Sequence, residues 1–170
     1  MNLSHVLLGL TLLLPAGFVT AAEHAHEHHG NQPAAASASI HVADAWSRAM
    51  PPVAPTAAVY LTLHNAGADD RLLGARSAQA GRIEIHEHVE VDGAMRMRQR
   101  EALELPSGGL LKLEPMGNHL MLFDLPRQAA DGEQFEVTLI FEKAGELPVQ
   151  VSVRRDAPAG QEPAGQHHHH

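Results

Sequence analysis

Residues 82–91 read RIEIHEHVEV, residues 92–93 read DG, and residues 94–100 read AMRMRQR. The first run alternates, placing Ile83, Ile85, Val89 and Val91 on the face opposite His86 and His88 if the chain is extended. Asp92-Gly93 then predicts a two-residue hairpin turn, because glycine tolerates the positive φ that a type I′ turn demands. Met95 to Arg100 is the return strand. Counting outward from that turn pairs Val91 with Ala94, Glu90 with Met95, His88 with Met97 and His86 with Gln99. His86, His88, Met95 and Met97 therefore project to one side, with Met97 diagonal to His86 and directly opposite His88.

The same β character runs on either side of the hairpin. Ala58 to His64 is β-prone and stops at the turn Asn65-Ala66-Gly67. Leu110 to Leu113 precedes Glu114-Pro115, and His119 to Phe123, Phe135 to Phe141 and Leu147 to Val153 are further strand-like runs. Helical signatures are few. Short strands with turns between them predict an all-β domain, an antiparallel sandwich or barrel. Trp46, the single tryptophan, reads as a buried anchor of the first strand, with surface contact to a partner as the lesser alternative.

Chemistry enters with spacing. His86 is followed after ten residues by Met97, after twenty-one more by His119, and after one more by Met121. Imidazole with thioether suits a soft monovalent ion, and Cu(I) is the common biological one. Met95, Met97, Met116 and Met121 fall within twenty-seven residues of a chain holding six methionines. Any one of them alone reads as a core gap-filler, and a lone histidine as an ordinary one. Their joint placement on strand faces argues for a metal site at His86, Met97, His119 and Met121. His88, closer to Met97 in this register, is a rival to His86, and Met95 is a spare thioether. A one-residue slip or a bulge would exchange these roles. His41 and His64, near strand ends, read as surface residues.

The ends differ from the body. Val6 to Phe18 is an apolar run too short for a comfortable membrane span, followed by Val19-Thr20-Ala21-Ala22, so residues 1–22 are expected to be a cleaved export signal. Residues 23–39 form a polar linker with His24, His26, His28 and His29, and residues 155–170 form a tail ending in His167 to His170. Short His-rich tracts bind divalent metal, so the linker reads either as a Cu(II) site or as a merely solvated segment, and the tail either as a natural metal-gathering extension, again for Cu(II), or as a shortened purification tag. Residues 40–154 make the copper-binding body. The formal net charge is −8, the first 46 residues carry no Lys or Arg, and no basic stripe exists, which argues against nucleic acid. The chain has no cysteine. A domain of this size does not need disulfides, and thioethers, unlike thiolates, cannot be captured as disulfides in an oxidising compartment.

The pattern resembles the PCu(A)C family of periplasmic copper chaperones. His86, Met97, His119 and Met121 match its motif at both spacings. IHEHVEVDGAMRMR, LKLEPMGNHLML, EVTLIFE and AWSRAMPP also look like the family, over about residues 40–153. Two departures stand out. Glu87 replaces an optional methionine, and Pro115-Met116-Gly117, followed by Asn118, replaces Pro-Gly-Gly. Met116 either adds a sulfur near the site or only packs. The resemblance implies a cupredoxin-like β-sandwich of Greek-key type and a Cu(I) carrier in the periplasm. It also implies delivery to the CuA or CuB centre of a cytochrome oxidase, through an oxidase subunit or another copper-assembly protein.

On this reading the protein is not an enzyme, inserts in no membrane once its signal is removed, and is a monomer. No cysteine is present for a blue-copper centre, and no Ser-His-Asp or paired-carboxylate set stands out. Competing readings are a periplasmic protein that scavenges or stores copper or zinc, a module that binds zinc or nickel through the His tails, and a copper redox enzyme.

Overall fold

The strand that seats the core is TAAVYLTLHN, residues 56–65. Ala57, Val59, Leu61 and Leu63 are buried, while Ala58, Tyr60 and Thr62 on the other face are less so. Full burial of each Val or Leu contributes about 1.5–3 kcal/mol, so this alternation fixes which face points inward. A computed structural model describes residues 39–158. The expected export signal (1–22), nearly all of the His-rich linker and the tail beyond residue 158 lie outside the described residues.

Ten strands follow one another: β1 (Ile40–Arg48), β2 (Thr56–Asn65), β3 (Asp70–Arg76), β4 (Arg82–Val91), β5 (Ala94–Arg100), β6 (Leu103–Leu105), β7 (Leu110–Leu113), β8 (Asn118–Phe123), β9 (Gln134–Phe141) and β10 (Glu146–Arg154). They hydrogen-bond in the order β5-β4-β8-β2-β1-β10-β9-β3-β6, with β7 sharing the edge of β2 that β8 also uses. A single buried cluster joins Val59, Leu61, Leu120 and Leu122 from one half of that order to Val137, Leu139, Val151 and Leu72 from the other. The sheet therefore folds over on itself, giving the expected all-β sandwich. Among the described residues, no helix is long and apolar enough to cross a membrane.

The antiparallel expectation needs one amendment. β1 and β10, the first and last strands, run parallel, with Trp46 beside Ser152. Parallel neighbours require a long crossover, and here the rest of the body supplies it. β3 and β6 had no clear sequence signal: β6 has three residues, and DRLLGAR breaks alternation with two adjacent leucines and Gly74.

The hairpin has the register read from the sequence, with Val91 opposite Ala94, His88 opposite Met97 and His86 opposite Gln99. Asp92 and Gly93 take φ of 52° and 74°, as a type I′ turn requires. β5 ends the strand order and is almost wholly exposed. Its arginines cover one face, where Arg98 and Arg100 hold the Glu87 carboxylate at 2.9 and 3.0 Å. Charges on an edge strand discourage further strand pairing, and they leave the methionines to the other face.

Trp46 is fully buried, in line with the anchor reading. A register shift between Ala43 and Trp46 sets it opposite Tyr60. It packs there, with ring centroids 4.9 Å apart, on the face of β2 away from Val59 and Leu61. His41 and His64 are exposed and stack on each other at 6.2 Å.

Candidate metal centre

β8 joins the hairpin to β2. It pairs with β4, setting His86 opposite His119 and Glu84 opposite Met121. It also pairs with β2, setting Met121 opposite Ala58. Since Leu120 and Leu122 face the core, His119 and Met121 face outward on the side of Tyr60, His86 and His88. Two rigid strands thus carry the residues that the spacing singled out, and β5 brings Met97 to the same face.

Distances separate these residues into a buried end and an open end. His119 is 2% exposed. Its ring centroid lies 6.0 Å from that of His86, 5.0 Å from His88 and 6.2 Å from Tyr60. His86 Nδ1 is 3.4 Å from Met97 Sδ, and Met97 is 52% exposed. Met97, His119 and Met121 line a cavity of about 200 Å³ together with His88, Met50 and Tyr60.

Hydrogen bonds set the tautomers. The His119 Nδ1–H donates to the carbonyl of Gly117 at 3.1 Å, which leaves Nε2 as the free donor to an ion. The same carbonyl accepts the backbone N–H of His88 at 3.2 Å. It belongs to a tight turn in which the Gly117 N–H donates to the Glu114 carbonyl at 3.0 Å. Pro115 and Met116 occupy the middle of that turn, and Met116 takes a φ of 66°. That value is the left-handed conformation that a type II turn needs after its proline, and glycine is the usual residue there. Met116 is exposed.

On His86, Nε2 lies 2.8 Å from Glu84 Oε2. With the proton on Nε2, the carboxylate holds the ring and Nδ1 faces the Met97 sulfur. That is the carboxylate–imidazole arrangement found behind many metal-ligating histidines. The Glu84 carboxyl is held below its ordinary pKa, first by the hydrogen bond from His86 and also by Arg82. His119 is likewise pushed below the ordinary histidine value, chiefly by burial, with the neighbouring His88 and His86 adding to the effect. A neutral imidazole is the form that binds metal.

Among the described residues, no three His, Cys, Asp or Glu side chains make a metal cluster by themselves. His86, Met97, His119 and Met121 are brought to one face. Met95 sits on that face of β5 but further toward the turn, opposite Glu90. Sequence reasoning missed Glu84, Tyr60, Met50 and the Gly117 carbonyl. Glu84 was within reach, since it precedes His86 by two on an alternating strand. Tyr60 and Met50 required the fold.

Comparison with known proteins gives a consistent picture. The family model described as "Putative lipoprotein LpqE-like" matches residues 40–153. "Putative lipoprotein Lxx21020" of Leifsonia xyli subsp. xyli is 30% identical over 154 residues, covering 88% of this chain and 84% of that protein. The copper-bound PCuAC domain from PmoF2 is 29% identical and aligns with a TM-score of 0.59, covering 71% of this chain and 94% of that one. The solution structure of CuI-DR1885 from Deinococcus radiodurans is 27% identical, with a TM-score of 0.51, covering 66% of this chain and 76% of that one.

Proposed function

The chain belongs to the LpqE-like family, of the PCuAC type, and from that premise we propose that it is a carrier of Cu(I) rather than an enzyme. His86, Met97, His119 and Met121 are the ligands of this reading. The observation that carries it is the convergence of two imidazoles and two thioethers on one outer face, with His86 Nδ1 already 3.4 Å from Met97 Sδ. Sulfur and neutral nitrogen donors favour the reduced soft ion and discriminate against hard cations.

The gradient in exposure supports carriage. His119 is buried and orientated by a backbone carbonyl, so it forms the fixed end. Met97 lies on a terminal strand with half its surface in water, so it forms the end that releases. A partner's ligand displaces Met97 first, and the ion leaves without the fold opening. No bond in a substrate is made or broken.

The wider setting of this reading is the periplasm, reached through the export signal at residues 1–22. The receiver is a copper centre of cytochrome oxidase, CuA or CuB, or another copper-assembly protein. The histidines at 24–29 and 167–170 gather Cu(II) ahead of it. X-ray absorption at the copper K-edge of the full chain loaded with half an equivalent of Cu(I) tests the site. Two nitrogen and two sulfur neighbours are expected, with the sulfurs lost in Met97→Leu/Met121→Leu. A wild-type sulfur signal in that double variant overturns the reading.

A further inference from the structure

β4 offers the ion two imidazoles, not one. His86 and His88 are two residues apart on the same strand face. His88 is the nearer of the two to His119, 5.0 against 6.0 Å between ring centroids. Met97 touches His86 diagonally and stands directly opposite His88. The cavity beside the site is lined by His88, Met97, His119 and Met121, and His86 does not line it.

The two rings are held differently. His86 is clamped by the Glu84 carboxylate. His88 has a buried Nδ1 with no hydrogen-bond partner among the described residues. A buried polar atom without a partner is costly and rare, so its presence beside a cavity lined with sulfur and imidazole calls for a ligand. With no partner at Nδ1, no hydrogen bond fixes the tautomer of His88.

We propose that His86 and His88 are alternative nitrogen ligands for a single copper ion, which keeps His119, Met97 and Met121 while it passes from one to the other. This rests on the Cu(I) reading above. His88 receives the ion from the cavity and His86 holds it under the control of Glu84. On release the ion returns to His88, and there a partner's ligand displaces Met97. Exchange of one nitrogen for another lets the ion move while three other ligands stay attached, so transfer needs no free-ion intermediate.

The test is a set of Cu(I) affinities measured on the full chain against a chromogenic Cu(I) chelator, with less than one equivalent of metal. His86→Ala is expected to lose only about 10–100-fold, the range of an outer-sphere change, because His88 takes the vacated position. His86→Ala/His88→Ala is expected to lose binding as fully as His119→Ala. Copper K-edge spectra of His86→Ala should still show two nitrogens, and nitrogen-15 spectra of the wild type should show both ring systems shifting as metal is added. The inference is overturned if His86→Ala alone matches His119→Ala, or if adding His88→Ala to it changes nothing. Should any alanine variant fail to fold, the wild-type ring spectra decide: shifts at His86 and His119 with none at His88 overturn the inference. Failure of the parent reading looks different, because Met97→Leu/Met121→Leu would then bind like wild type.

Discussion

His86 Nδ1 and Met97 Sδ lie 3.4 Å apart across the β4–β5 pair, a diagonal contact, since the residue directly opposite Met97 is His88. Met95 shares the face of Met97 but stands opposite Glu90, nearer the turn. The two methionines are almost equally exposed, so exposure does not distinguish them and position does. Met97→Leu is therefore expected to weaken Cu(I) binding strongly and Met95→Leu to leave it near wild type, in a chelator competition run on both. Equal losses would mean that Met95 shares the thioether role with Met97, the other methionine of β5.

Glu84 acts through His86. Its carboxylate, 2.8 Å from Nε2, orientates the ring and makes Nδ1 a better donor. Outer partners of this kind are typically worth about 10–100-fold in metal affinity. Glu84→Ala should show a loss in that range when placed in a His88→Ala background, where His86 alone supplies the strand nitrogen. Glu84→Gln keeps an acceptor oxygen and should fall at the small end. Unchanged affinity for both would leave Glu84 as a partner of Arg82 only.

Acid should weaken the metal-free fold through His119. Burial lowers its pKa below the ordinary value of 6.5. Above that value the histidine is neutral in both folded and unfolded chains, so it adds no pH dependence. As pH falls below about 6.5 the unfolded chain takes up the proton first. Stability then declines until the lower folded pKa is passed. Urea unfolding of the metal-free chain at pH 7.5 and 5.5 should show this decline, and His119→Gln should lose part of it. A decline of the same size in both would assign it to other groups.

Much of this site was legible before any fold. The alternation of RIEIHEHVEV and the Asp92-Gly93 turn set the hairpin register, and that register placed His86, His88, Met95 and Met97 on one face. Such local pairing follows from side-chain period and turn chemistry alone. What remained hidden depends on contacts distant in sequence. Nothing local to His119 says that β8 lies between β4 and β2, nor that Tyr60 sits against its ring. The parallel neighbours β1 and β10 are separated by almost the whole body, and no local pattern encodes that closure. Met50 lies in the loop after β1 and reaches the cavity only through the fold.

Met116 carries a conformational cost where a glycine would carry less. It sits at a φ of 66° after Pro115, and a side chain in the left-handed region costs about 1–2 kcal/mol. Glycine removes that strain but gives back some of it as chain entropy, about 0.4–1 kcal/mol. Met116→Gly should therefore stabilise the fold by roughly 0.5–1 kcal/mol, the difference of these opposing terms. The turn that holds the Gly117 carbonyl against His119 would be kept, so Cu(I) affinity should stay close to wild type. Chemical unfolding gives the first quantity and chelator competition the second. A marked loss of affinity would mean that the Met116 sulfur joins the site.

The single tryptophan offers a direct reading of occupancy. Trp46 packs on Tyr60 at 4.9 Å, and Tyr60 lies 6.2 Å from His119. Trp46 is fully buried, so its emission should be that of an apolar environment. An ion bound at His119 acts on Trp46 through this short aromatic chain. Emission should therefore change as Cu(I) is added and level off at one equivalent. His119→Ala removes both the ligand and the contact to Tyr60, and should abolish the change. Met97→Leu keeps the aromatic chain intact and should move the titration to higher metal concentration with the same end point. If emission stays constant in the wild type while a chelator shows that metal is bound, the ion sits away from His119 and the assignment of this face falls.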